Sequence, residues 1–176
     1  MNGIYDQGLA RNEANYQPLT PLTFLERAAT VYPEQTAIIY GDLHVNYYTF
    51  YQRCRQLSSS LAKIGISRGD TVSVMLANTP AMLEVHYAVP MCGGVLHALN
   101  TRLDASIIAF QVRHAESRVL ITDTEFADTI SEVLAQQDLS LLVIDYVDRS
   151  LDTVGDMLGF CEYENFLGGG DSNFRW

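Results

Sequence analysis

Between Thr71 and Asp145 the chain reads TVSVMLANTPAMLEVHYAVPMCGGVLHALNTRLDASIIAFQVRHAESRVLITDTEFADTISEVLAQQDLSLLVID. Four apolar runs recur in it: TVSVML from Thr71, VLHAL from Val95, RVLIT from Arg118 and LLVID from Leu141. Their starts lie 24, 23 and 23 residues apart. Each interval holds an amphipathic segment of helical length: Ala81 to Cys92, with Asn78 or Thr79 as cap and Pro80 in the first turn; Asp104 to Ala115; and Thr124 to Gln136. Near-continuous apolar strands alternating with helices argue for a parallel sheet covered on both faces and built from right-handed β-α-β units. The fold class read from this stretch is α/β, a parallel doubly wound sheet flanked by helices.

Upstream, Thr20-Pro21 has the form of a helix start, Thr as cap and Pro at the first helical position. Phe24, Leu25, Ala28, Ala29 and Tyr32 follow at helical spacing until Pro33. Thr36 to Tyr40 and His44 to Tyr48 read as strands of a hairpin around Gly41-Asp42. Thr49 and Gln52 have capping-box spacing and predict a helix with Cys54, Leu57, Leu61 and Ile64 on its buried face, closed by Gly65. The sheet is thus preceded by a helix and a β-hairpin. Residues 1–17 read as a polar arm, 18–147 as the α/β domain, and 148–176 as a linker-like tail with a short helix within Met157 to Leu167. The tail's Gly-rich run Gly168 to Ser172 reads as a solvated loop. Phe174-Arg175-Trp176 reads as an apolar end with nothing after it to pack against.

The 176 residues are 48% hydrophobic and 18% charged, a globular composition. Net charge is −10, and the basic residues are ten scattered Arg and one Lys, Lys63. With no basic run to neutralise phosphates, nucleic acid is excluded as the expected partner. No apolar stretch reaches the roughly 18–20 residues of a membrane helix. Met1 to Pro18 lacks a basic start followed by an apolar segment, so no signal peptide is expected. Cys54, Cys92 and Cys161 are odd in number and far apart, which suggests free thiols in a reducing, cytoplasmic setting.

The motifs of common chemistries are missing. There is no GxxxxGK[ST], no GxGxxG after a strand and no GxSxG. His44, His86, His97 and His114 lack metal-ligand spacing; His114-Ala115-Glu116 resembles half of a zinc deaminase site without the P-C-x-x-C that completes it. Cys54 and Cys92 lie on apolar helix faces and read as small hydrophobes. Ser58-Ser59-Ser60 reads as a mix of close helix packing and solvent exposure. Ligands of open parallel sheets bind beyond the C-terminal strand ends, which here carry Asn78, Asn100, Asp123 and Asp145. These read first as turn and cap formers.

Four segments carry a resemblance: PLTPLTFLERAATVYPEQTAIIYGD from Pro18, VNYYTFYQRCRQLSSSLAKIGISRGDTVSVMLANTPAM from Val45, HYAVPMCGGVLHALNTRLDASIIAFQVRHAESRVLITD from His86, and CEYENFLGGGDSNFRW from Cys161. In this order they resemble the start of an adenylate-forming acyl-CoA synthetase of the AMP-binding ligase superfamily. Gly94-Val95 leading to Asn100-Thr101-Arg102-Leu103 matches a family pattern, and the last segment is similar to the linker before the family's nucleotide loop. The resemblance implies an incomplete part of the large N-terminal domain. It implies an enzyme that makes acyl-CoA, on the fatty acyl pattern, from a carboxylic acid, ATP and CoA through an acyl-adenylate, with Mg2+. The family's Ser/Thr/Gly phosphate loop ending in Pro-Lys-Gly, its aromatic-Gly-x-Thr-Glu motif, its ribose-binding Asp and its catalytic Lys are not in this sequence. The expectation is therefore no catalytic, cofactor-binding or metal-ligating residue here, an inactive isolated chain that binds no cofactor, Asn100 and Arg102 ordering a turn, and self-association through an exposed sheet edge. The carboxylic acid would be a substrate only of a complete enzyme. Two other readings are a stand-alone, non-catalytic α/β binding or interaction module and a truncated product without function of its own.

Overall fold

The computed structural model describes residues 7–8, 10–12, 14–136, 141–151 and 155–176. Helix α1 spans Pro21–Val31, its start capped by the Thr20 hydroxyl, which accepts from the Thr23 N–H at 3.4 Å. Strands β1 (Thr36–Tyr40) and β2 (Leu43–Asn46) pair antiparallel around Gly41, whose φ of 56° is the left-handed value the tight turn requires. Helix α2 (Tyr47–Lys63) begins two residues before the expected Thr49 because Asn46 caps it: the Asn46 Oδ1 accepts from the Thr49 N–H at 2.8 Å. That cap cuts the second hairpin strand short of the expected Tyr48, and Thr49 with Gln52 forms no capping box. Gly65 (φ 90°) then turns the chain, as its position after the helix demands.

The regular stretch follows as read. Strands β3 (Thr71–Met75), β4 (Val95–Ala98), β5 (Ser117–Asp123) and β6 (Leu142–Tyr146) are parallel, joined by helices α3 (Pro80–Met91), α4 (Ala105–His114) and, after a 3-10 turn at Thr124–Phe126, α5 (Ala127–Ala135). A fifth strand, β7 (Cys161–Glu162), adds to β6, and helix α6 (Tyr163–Gly168) follows it. The order is β4-β3-β5-β6-β7. A two-residue strand carries no readable alternation, so β7 left no sequence signal.

Alternation along each strand sends side chains to two cores. Val72, Val74, Val119, Ile121 and Ile144 meet Leu57 and Leu61 of α2, Val85 and Ala88 of α3 and Tyr163 of α6 on one face. Met75, Leu120 and Val143 meet Ile108 and Val112 of α4 and Ile130 and Val133 of α5 on the other. The sheet is therefore doubly wound. The N-terminal helix and hairpin close a third cluster, with Leu25, Ile38, Phe50, Cys54 and Met91 at its centre. β4 and β7 are the sheet edges. Among the described residues no helix is long and apolar enough to cross a membrane.

Candidate functional site

β3 leads through α3 to β4 on one side, and the chain then crosses back to place β5 on the other side of β3. The crevice beyond the C-terminal ends of β3 and β5 is thus the topological switch point at which open sheets take ligands. Asn78 is exposed there, on a small groove shared with Thr79 and Tyr40. Asp123, 1% exposed, caps the 3-10 turn through Oδ1, which accepts from the Glu125 N–H at 3.0 Å. Its Oδ2 is buried without a hydrogen-bond partner, and burial pushes its carboxyl above the usual range. Asp145 accepts the N–H groups of Leu158 (3.2 Å) and Gly159 (2.6 Å) and so ties down the approach to β7. Asn100 accepts the Arg102 N–H at 3.0 Å, the turn-forming role expected of it, while Arg102 is exposed. No hydrogen bond joins these four residues to one another; Asn100, Asp123 and Asp145 each shape their own loop.

Beside this edge lies a cleft of about 1080 Å³ between the hairpin, α2, the start of α3 and the loop after β6. Its interior cation is Arg53. The guanidinium donates to Glu84 through Nε (2.5 Å) and Nη2 (3.2 Å), and to Glu164 through Nη2 (2.6 Å) and Nη1 (3.0 Å). Tyr163, fully buried, donates its hydroxyl to Glu84 Oε2 at 2.7 Å. Burial pushes the Glu84 carboxyl up, and the Arg53 and Tyr163 bonds oppose it only in part. Hydrogen bonds and charge from Glu164 and Glu84 hold the Arg53 guanidinium protonated against its own burial. At the rim, Tyr40 and Ser150 donate to Asp148 (Ser150 Oγ at 2.7 Å). Despite burial, these bonds keep the Asp148 carboxyl below its ordinary value, and the bond to Asp148 raises the Tyr40 hydroxyl.

Both networks line the cleft and bind elements together across it. Arg53 spends four donor contacts on two carboxylates, so it has little left for a phosphate. Sequence reading missed this pair. Its signal was Glu84, a lone acid three residues after Ala81 and one before Val85 on the buried face of a helix. A carboxylate placed there requires a cation on the facing helix.

The remaining candidates fall into structural roles, two with corrections. Ser58, Ser59 and Ser60 are all buried, not partly solvated, and Ser60 donates to the Phe166 carbonyl at 2.7 Å. The Gly-rich run is largely exposed, as expected of a solvated loop, but its first residues are tied down. Gly168 ends α6, the Gly169 and Gly170 N–H groups return to carbonyls of that helix, and Lys63 Nζ donates to the Gly169 carbonyl at 2.7 Å. Lys63 is distant in sequence but adjacent in space, and it meets a carbonyl, while the Gly169 and Gly170 N–H groups are taken by α6. The terminal residues also pack, for Trp176 Nε1 donates to the Tyr51 hydroxyl at 3.1 Å. His97 Nδ1 lies 2.8 Å from the Ser73 hydroxyl, itself 2.6 Å from the Ser117 hydroxyl, a chain linking β4, β3 and β5 inside the molecule. The cysteines are free, and burial raises all three thiols away from reactivity. Among the described residues no three His, Cys, Asp or Glu are grouped to hold a metal. These donor sets do not fit a magnesium-bound triphosphate.

The fold and its strand-end crevice define a doubly wound α/β domain. A family model described as AMP-binding enzyme matches residues 25–161. The acetate–CoA ligase CCL3 of Humulus lupulus is 45% identical over 96% of this chain and 32% of that enzyme. The peroxisomal butyrate–CoA ligase AAE11 of Arabidopsis thaliana is 52% identical over 69% of this chain and 21% of that enzyme. Among solved structures, an anthranilate CoA ligase in complex with anthranoyl-AMP superposes with a TM-score of 0.78 at 17% identity, covering 88% of this chain and 29% of that one. A benzoate CoA ligase from Burkholderia xenovorans gives 0.72 at 17% identity, covering 85% and 28%. The chain belongs to the AMP-binding enzyme family and corresponds to an N-terminal portion of an AMP-forming ligase. It spans about a third or less of the length of the curated relatives it matches.

Proposed function

We propose that these 176 residues supply the first layers of the large domain of a carboxylate–CoA ligase, and that the polypeptide by itself performs neither half-reaction. In the first half-reaction the carboxylate attacks ATP and pyrophosphate leaves; in the second the CoA thiol displaces AMP. Both need cations and N–H donors aimed at phosphates. The observation that supports the reading is the family match across 25–161, on a framework whose strand-end residues and interior cation are already committed to turns and ion pairs. The relatives are ligases about three times longer, which favours a part of such an enzyme over a stand-alone binding module.

For the substrate, the relatives are named for acetate, butyrate and benzoate. A small carboxylic acid is therefore a better reading than the generic fatty acyl pattern expected from sequence. The division at 17/18 and 147/148 is proposed with the last segment's helix packed on the same core. Cytoplasmic residence is proposed from the free thiols, with the peroxisome, named for several relatives, as its rival.

The test is to read the DNA downstream of the Trp176 codon, express the whole product and assay thioester formation with acetate, butyrate and benzoate. An in-frame Ser/Thr/Gly loop ending in Pro-Lys-Gly and turnover of one of these acids is expected. A complete product of 176 residues that binds another ligand would overturn the reading.

A further inference from the structure

Ser73, Ser117 and His97 have no part in the proposed chemistry, yet they form a hydrogen-bonded line across three strands. Ser73 of β3 and Ser117 of β5 are buried, with their hydroxyls 2.6 Å apart, and the Ser73 hydroxyl lies 2.8 Å from Nδ1 of His97 on β4. Register brings them together. Ser73 pairs directly with His97, and by alternation both share the sheet face of Met75 and Leu99. Plain alternation would send Ser117 to the opposite face with Val119. The register slips by one residue between the pairs Thr71–Ser117 and Val72–Val119, so Arg118 is the extra residue and Ser117 turns toward Ser73.

The proton count gives the line a direction. It holds two contacts, and neither hydroxyl has another hydrogen-bond partner among the described residues. With Nδ1 bare, the two hydroxyl protons fill the two contacts: Ser117 donates to Ser73, and Ser73 donates to Nδ1. With a proton on Nδ1, three protons meet the same two contacts, and one hydroxyl proton is left inside the molecule without an acceptor. The neutral imidazole therefore carries its proton on Nε2.

The surrounding elements add no charge to this balance. β3 itself carries no titratable residue. Glu84 of α3 is held by Arg53 and Tyr163, and His86 is exposed with Nδ1 on the Met82 carbonyl. Arg118 of β5 reaches Gly65 and Asp70, and Arg113 and His114 at the end of α4 are exposed. Burial is accordingly the influence that lowers the proton affinity of His97.

We propose that the Ser117–Ser73–His97 line is a proton-sensitive clasp: with Nδ1 bare it ties β4 to β3 and β5, and protonation of His97 reverses the bond to Ser73, leaves a buried hydroxyl proton without an acceptor and loosens β4 while the other strands stay paired.

In the isotope-labelled 176-residue chain, the imidazole nitrogen shifts are expected to show His97 bare at Nδ1 and protonated at Nε2 above about pH 7.5, and His97 to gain its second proton about one pH unit or more below His44, His86 and His114. Amide exchange at Val95–Ala98, taken relative to intrinsic rates, is expected to speed about threefold or more between about pH 7 and pH 5.5, with Ile121 and Ile144 changing less. His97→Asn keeps an acceptor near the place of Nδ1 and does not titrate, so it removes that acceleration. A proton on Nδ1 of the neutral ring, or titration in step with the other three histidines, would overturn the clasp. So would β4 amides that ignore pH in the parent chain, or that accelerate equally in His97→Asn.

Discussion

Glu84 is 1% exposed, and the Arg53 guanidinium and Tyr163 hydroxyl compensate its charge. Removing one partner of a buried pair leaves an uncompensated charge, which costs about 3–5 kcal/mol. Arg53→Ala is expected to lower the unfolding free energy by about that amount in a urea titration. Arg53→Ala combined with Glu84→Gln should recover part of it, since the orphaned charge is gone; equal losses in the single and double variants would deny that the charge is what matters. His97 gives a pH signature. Burial lowers its pKa, so the folded chain holds the proton more weakly than the unfolded chain. Its contribution is full above about pH 6.5, the unfolded value, and is lost as pH falls below it. Burial raises Glu84 and so acts in the opposite sense, which makes a variant difference the proper readout. Between about pH 8 and pH 5.5, the parent chain is expected to lose more stability than His97→Asn. Identical slopes would remove His97 from the account.

At the scale of elements, the N-terminal end of α2 separates the observed cap from the expected one. Asn46→Ala should cost about 1 kcal/mol, and Gln52→Ala close to nothing, because the Thr49 N–H bonds to Asn46. A larger loss for Gln52→Ala in denaturant titrations would restore the capping box. Most elements were legible because their signals are local. Apolar strands 23 or 24 residues apart, Thr20-Pro21 and Gly65 each act within a few residues, and the four parallel strands and their crossover helices stand where the periodicity puts them. What escaped was non-local. β7 exists because β6 offers an edge, Ser60 is buried where α6 and the glycine run close over it, and Lys63 finds Gly169 across 106 positions. The strand-end residues Asn100, Asp123 and Asp145 were legible as turn formers, whereas the Arg53–Glu84–Glu164 network depends on three helices meeting.

At the scale of the molecule, β4 is an open edge with Val95 half exposed, and Ile107 and Phe110 of α4 are exposed apolar side chains. Unpaired edges and apolar surface favour association, which a net charge of −10 opposes weakly once salt screens it beyond about 10 Å at ~0.1 M. The purified 176-residue chain is expected to self-associate in light scattering, and Val95→Lys to shift it toward monomer. A sharp monomer with a cooperative melt in the parent chain would mean that the edge needs no cover. The central claim is that this portion of an AMP-forming ligase builds the framework and does not hold the nucleotide. Its most direct test is calorimetric titration of the 176-residue chain with Mg-ATP. The account expects no saturable heat up to millimolar nucleotide, and a stoichiometric isotherm in the micromolar range would contradict it.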